Sequence, residues 1–120
     1  MSTRAQFSFE VDGERNALIY KHCDGYPDSE HGALAVLKRF FEQVEKECKG
    51  DLRYDDPVYL AAKFVIYLVK YEGGHDNLNF LGVGISMKEH GDIEYLYHID
   101  CSDFDENHRP IITYNKPYES

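Results

Sequence analysis

The chain has 120 residues, the size of one domain, and 42% of them are hydrophobic, too many for a disordered segment. Its 22 acids against 13 bases give a net charge of −9, and no run of basic residues occurs, so direct nucleic-acid binding is excluded as the main task. The three cysteines are odd in number and form no Cys-x-x-Cys pair, which argues against a disulfide framework and against a thiolate zinc site.

In chain order, "QFSFEV" alternates with Phe7, Phe9 and Val11 on one face, the pattern of a strand. "DGERN" is a turn by composition, and "ALIYKH" is a second strand, so the two predict a hairpin. Leu34, Leu37, Phe41, Val44 and Cys48 then recur at three and four, with Phe40 beside them, predicting an amphipathic helix. Asp28 or Ser29 is expected to cap its start and Gly50 to end it.

A second helix is expected in "DDPVYLAAKFVIYLVKYEGG", with Asp56 as N-cap, Pro57 in the first turn, and Gly73 and Gly74 as its stop. Its apolar residues run nearly all the way round, so it is expected to be the more buried helix. Two alternating runs follow: Leu81, Val83, Ile85 and Met87, then Ile93, Tyr95, Tyr97 and Ile99. "KEHGD" between them reads as a hairpin turn built on Gly91. "PIITY" is a final edge strand opening on Pro110, and "NKPYES" is a loose tail. The order ββααβββ predicts a single α+β domain, a mainly antiparallel sheet of about five strands with two helices packed on one face.

The stretch "YKHCDGYPDSEHG", residues 20–32, offers two readings. As a connection, Gly25 supplies a positive φ, Pro27 extends Tyr26, and Asp24 accepts backbone N–H groups. As a site, the start of the first helix would present the N–H groups of Glu30, His31 and Gly32 to a small anion or nucleotide. His22, Asp24, Gly25, Tyr26 and His31 would then line it. The turn is the more economical reading.

The recurrence of His-x-Asp, at His22/Asp24, His90/Asp92 and His98/Asp100, with His75 and Asp76 nearby, raises a metal-dependent enzyme as an alternative. Chance pairing of six histidines with abundant strand-end acids explains it as well. Neighbouring residues on a strand face opposite ways, so Cys23 and His22 make a poor nucleophile–base pair. No metal or cofactor is expected. "VYLAAKFVIYLV" is broken by Lys63 and too short to span a bilayer, and "MSTRAQFSFEVDG" lacks an apolar signal core, so a cytoplasmic protein is expected.

Three motifs also carry a resemblance: Ser-Thr-Arg-Ala at residues 2–5, Tyr-x-His-x-Asp-Gly-Tyr-Pro at 20–27, and "DIEYLYHID" with Glu94, Tyr95 and Tyr97. Together they resemble a family of small uncharacterised proteins of phages, prophages and other mobile elements. That resemblance implies a protein of the host-cell cytoplasm that acts by binding, as inhibitors of host defence such as anti-CRISPR proteins do. The implied partner is a host protein or nucleic-acid-binding complex, met by an acidic surface, with Glu94, Tyr95 and Tyr97 as candidate partner-binding residues. A homodimer through the last edge strand and the Tyr-rich strand is a further expectation.

Overall fold

The computed structural model describes residues 3–72, 78 and 82–118. Its elements are β1 (Ala5–Val11), β2 (Glu14–Lys21), α1 (Ala33–Glu47), α2 (Pro57–Tyr67) running into a π-helical turn (Leu68–Glu72), β3 (Val83–Ser86), β4 (Tyr95–Phe104) and β5 (Pro110–Asn115). The fold is α+β, in the expected element order. The expected Leu81, Gly73, Gly74, His75 and Asp76 lie outside the described residues.

β1 and β2 form the expected hairpin, tightened to a two-residue loop at Asp12 and Gly13, whose φ values of 52° and 80° suit the right-handed twist of the strands. The five strands lie in the order β3-β2-β1-β4-β5. β1 pairs with β4 in parallel, and the other three pairings are antiparallel. The sheet is therefore mixed.

The expected hairpin between β3 and β4 does not form. β3 pairs with β2 at one edge, and β4 lies two strands further in, beside β1. Burial decides this. β4 carries apolar side chains on both faces, Leu96 on one and Tyr97, Ile99 and Cys101 on the other, all buried. Such a strand fits a central position, whereas an edge exposes part of it to water. "KEHGD" is instead part of a strap, residues 87–94, that crosses the sheet face opposite the helices. Gln6 holds the strap as a peptide group would. Its Nε2 donates to the Lys88 carbonyl at 3.2 Å, and its Oε1 accepts the His90 N–H at 2.9 Å. Arg15 bonds Ser8 Oγ at 2.9 Å and the strap's Glu89 at 3.1 Å, and Leu18, Ile93 and Leu96 form a small apolar cluster beneath. Gln6 and Ser8 are thus fully buried polar residues with partners, so β1 is covered on both faces.

The main core lies between the sheet and the helices. Phe64 of α2 is its hub, meeting Phe7 at 4.9 Å, Phe9 at 5.7 Å and Phe40 of α1 at 5.1 Å between ring centroids. Each such aromatic pair contributes roughly 0.5–1.5 kcal/mol beyond area burial. Asp56 caps α2 as expected, accepting the Tyr59 N–H. α1 is not capped by Asp28 or Ser29; Gly32 is its N-cap, without a side-chain bond, because the preceding loop supplies backbone carbonyls instead. α2 is not buried all the way round. Val58, Tyr59, Ala62 and Ile66 face outward, since only Pro57, Leu60, Ala61, Phe64 and Tyr67 reach the core.

Besides Arg15–Glu89, two further arginine–glutamate pairs among the described residues, each two-bonded, close the periphery. Arg109, ahead of β5, holds Glu45 of α1 through two bonds of 2.8 Å, and Tyr54 donates to the same carboxylate at 2.7 Å. Arg39 holds Glu72 through two bonds of 3.0 Å, joined by Tyr67 Oη at 2.5 Å. Hydrogen bonding from Arg109 lowers the Glu45 pKa. At Glu72 burial pushes upward, but the bonds from Arg39 and Tyr67 outweigh it, and the pKa is again lowered. A carboxyl with a depressed folded pKa contributes stability above its unfolded value, about 4.3 for Glu, and loses it as pH falls through the folded one. Acid titration of stability should therefore show a steep loss below about pH 4.3. In a Glu45→Gln, Glu72→Gln double variant the protein should be weaker at neutral pH and its acid limb shallower; an acid limb of unchanged slope would contradict the assignment.

Candidate functional site

The loop between β2 and α1 is built from within. Asp24 sits at φ 56° and accepts the Tyr26 hydroxyl at 3.1 Å, rather than the backbone N–H groups expected of it. Gly25 lies against β1: its N–H donates to the Thr3 carbonyl at 2.8 Å, and an added Cβ would come within 2.6 Å of Ala5 Cβ. Its φ is not positive, so close approach is what requires glycine here. The Gly25 carbonyl accepts Tyr97 Oη at 2.5 Å. At the start of α1, the Ala33 N–H bonds the Tyr26 carbonyl at 2.7 Å, the Leu34 N–H the Pro27 carbonyl at 3.4 Å, and the Gly32 N–H the Ser29 carbonyl at 3.2 Å. Of the N–H groups expected to face an anion, that of Gly32 is thus engaged inside the loop, as are those of Ala33 and Leu34 in the first turn of the helix.

The residues expected to line a ligand site separate into three groups. His22 turns to the strap side of the sheet, where Arg4 Nε donates to its Nδ1 at 3.4 Å and the Tyr20 hydroxyl lies at 3.2 Å. An arginine only donates, so that bond needs Nδ1 unprotonated and the ring proton on Nε2. Asp24, Gly25 and Tyr26 form the turn. His31 is 71% exposed and, among the described residues, has only Glu30 as an ionic partner, at 3.5 Å.

The His-x-Asp pairs also fail to converge. β2 ends at Lys21, so His22 and Asp24 do not share a strand face. His90 stacks on Tyr20 at 4.7 Å and lies 3.9 Å from Asp92, which pairs with Arg4 at 3.6 Å. His98 lies between Glu10 Oε2 at 2.6 Å and Asn115 Oδ1 at 2.8 Å, tying β1, β4 and β5, while Asp100 accepts Ser102. Among the described residues, no group of three His, Cys, Asp or Glu side chains is placed to hold a metal ion. No helix among them is long and apolar enough to cross a membrane.

Of the candidate partner-binding residues, Tyr97 is 0% exposed and stacks on Phe7 at 5.0 Å, so it is a core residue and not available to a partner. Tyr95 is half-buried against Tyr97 and Tyr114. Glu94 is exposed, and its N–H bonds the Arg4 carbonyl at 2.8 Å.

A different surface emerges from the topology. Because β1 and β4 run in parallel, their C-terminal ends arrive side by side, with Glu10 opposite Asp100. The Asp12 N–H donates to Ser102 Oγ at 2.9 Å, fastening the β1–β2 turn to the end of β4. Cys101, buried just below, has its pKa pushed up to about 12 by burial and then by Asp100, Asp56, Asp55 and Glu10, which brings the start of α2 to the same end. Glu14, Asp103, Asp105 and Glu106 complete this acidic end. Among the described residues, the carboxylates of Asp12, Glu14, Asp55 and Glu106 make no hydrogen bond or ion pair. Of the guanidinium groups nearest in sequence, Arg15 bonds Ser8 and Glu89 and Arg109 bonds Glu45, away from this end, while Arg53 pairs with Asp51 and Asp56 at the start of α2. Phe104, 41% exposed, stands among the acids between Asp103 and Asp105. The acids come from three segments far apart in sequence, and the net charge of −9 was the only signal of them.

No protein-family model, curated protein or solved structure matches the chain.

The loop geometry makes a prediction about stability. Asp24→Asn keeps an acceptor for Tyr26 and a side chain that tolerates left-handed backbone, so it should change stability by no more than about 0.5 kcal/mol. Asp24→Ala should lose about 1–2 kcal/mol. Gly25→Ala, forced against Ala5 and Thr3, should lose about 1–3 kcal/mol. Urea unfolding of the three variants checks this, and an Asp24→Ala protein as stable as the parent would count against a structural role for the turn.

Proposed function

We propose that the protein acts by binding rather than catalysis, and that its acidic end docks on a basic, nucleic-acid-binding surface of a host protein or complex. The observation that carries this is the gathering of Glu10, Asp12, Glu14, Asp100, Asp103 and Glu106 around an exposed Phe104, with Arg15 and Arg109 engaged elsewhere. A concentrated field of one sign steers a partner of the opposite sign and raises its association rate. An aromatic side chain standing in that field supplies the apolar anchor from which an interface draws much of its energy. A basic groove so occupied is closed to nucleic acid. With the phage-type motifs at residues 2–5 and 20–27, this reading makes the protein an inhibitor of a host defence complex, working in the host cytoplasm.

The test is affinity purification from bacterial lysate at about 50 mM and about 500 mM salt, conditions that differ several-fold in screening length. The parent protein should retain a basic host protein at low salt and release it at high salt. A Glu14→Lys, Asp103→Lys, Glu106→Lys variant should fail to retain it while keeping the parent melting temperature, and Phe104→Ala should weaken retention about tenfold. Recovery of no host protein at low salt, or equal recovery by the charge-reversed variant, would overturn the reading.

A further inference from the structure

β3 is an edge strand with an uncovered apolar row. Ile85 lies opposite Ile19 and so points to the helix-covered face, yet Ile19 is buried and Ile85 is 83% exposed. Met87, two residues on, is 100% exposed, and Val83, two residues back, packs only partly against the core. The helices cover the middle of the sheet and stop short of this strand. Residues 83–87, "VGISM", carry no charge, no proline and no bulge, so of the devices that protect an edge β3 has only its shortness, four residues.

The backbone of β3 states what could cover it. The His22 N–H donates to the Gly82 carbonyl at 2.9 Å, one step beyond the last strand pair, Lys21 with Val83. Antiparallel partners alternate between bonded and non-bonded pairs. Gly84 opposite Tyr20 and Ser86 opposite Leu18 therefore turn their N–H and C=O groups toward β2. Those of Val83 and Ile85 point away from the sheet, toward a strand that none of the described residues supplies.

We propose that the occupant is a second copy of this chain, paired antiparallel along β3 about a two-fold axis midway between the Ile85 residues of the two copies. Apolar residues and spacers read alike in both directions from Ile85: Gly84 and Ser86, then Val83 and Met87. Such an axis sets Ile85 against the partner's Ile85, and Val83 against the partner's Met87, on one face of a continuous ten-stranded sheet. It is an isologous contact, so it closes at two copies. The outward-pointing N–H and C=O groups of Val83 and Ile85 gain partners, and the exposed side chains of Ile85 and Met87, with the partly buried Val83, pack across the strands.

Charge selects the same arrangement. β3 runs in the direction of β1 but reaches only the level of Ser8, since Ser86 and Ser8 both lie opposite Leu18. The acidic end begins beyond that level. Antiparallel pairing of two copies sends their acidic ends in opposite directions, so the charge of −9 on each is kept apart. β5, the other edge, is less suited. It opens on Pro110, which has no N–H, and ends on Asn115, which His98 engages.

The inference is independent of the acidic end, and salt distinguishes the two: screening should strengthen this contact and weaken that one. Sedimentation of the purified protein from about 10 μM to about 1 mM should show the mass rising from one chain toward two, with a Kd of about 100 μM. Hydrogen exchange over the same range should show the Val83 and Ile85 amides gaining protection with concentration, while Gly84 and Ser86 are protected throughout. Ile85→Lys should remain a single chain at every concentration, with an unchanged melting temperature because the side chain is exposed. A one-chain mass up to 1 mM, a dimer that survives Ile85→Lys, species that grow beyond two chains, or protection gained at residues 111–114 instead would each overturn the proposal.

Discussion

The parallel pairing of β1 with β4 is the constraint on which the rest of this molecule depends. Parallel neighbours cannot be joined by a tight turn. The chain therefore leaves β3 at the far edge and returns over the open face of the sheet to begin β4. That return is the strap of residues 87–94, and it buries Gln6 and Ser8, which a one-sided sheet would have left in water. A side-chain amide with both ends bonded to strap backbone replaces the ladder that the strap has no strand to form. The core side of β1 is filled by Phe7 and Phe9, which meet Phe64 from α2 and, through it, Phe40 from α1.

The same pairing distributes charge and edges. Two parallel strands end together, so the acids that follow each of them share one end of the molecule. Antiparallel neighbours would have placed Glu10 and Asp100 at opposite ends. With β4 beside β1, β3 has a partner on one side only, and its apolar row is left uncovered. One surface is thus strongly acidic and the other uncharged, at different levels of the sheet, and the two can serve different contacts at once. The loop of residues 20–32 has a third role. It anchors β1 to α1 through Gly25, and it receives the hydroxyl of the buried Tyr97, whose pKa burial raises well above the ordinary phenol value.

Local periodicity made most elements legible. The three-and-four spacing from Leu34 to Val44 appears as α1, Asp56 and Pro57 open α2, and the alternation at Phe7 and Phe9 appears as β1. Pairing beyond the β1–β2 hairpin was not legible, because it is settled between segments distant in the chain. Gly91 in "KEHGD" carries the local chemistry of a hairpin turn, but the burial needs of Leu96 and Tyr97 drew β4 to the centre of the sheet. Alternation likewise placed Tyr95 and Tyr97 on one face without distinguishing which would be covered; the position of α1 and α2 made Tyr97 core and left Tyr95 half-buried. An apolar surround on α2 suggested burial, yet a helix lying on a sheet buries one side only, and Val58 and Ile66 face out. The turn at Asp24 was readable as a turn; its partner, Tyr26, was not. The acidic end was unreadable for the same reason as the pairing, since segments 10–14, 55–56 and 100–106 meet only in the fold.

The most direct measurement is a map of cross-strand NMR contacts between backbone protons of β1, β3 and β4. Contacts joining Phe7 to Tyr97 and Phe9 to Ile99 in a parallel pattern, with Ile85 joined to Ile19, are the expected result. Contacts linking residues 83–86 directly to residues 95–99, as a hairpin would give, with none between β1 and β4, would contradict it.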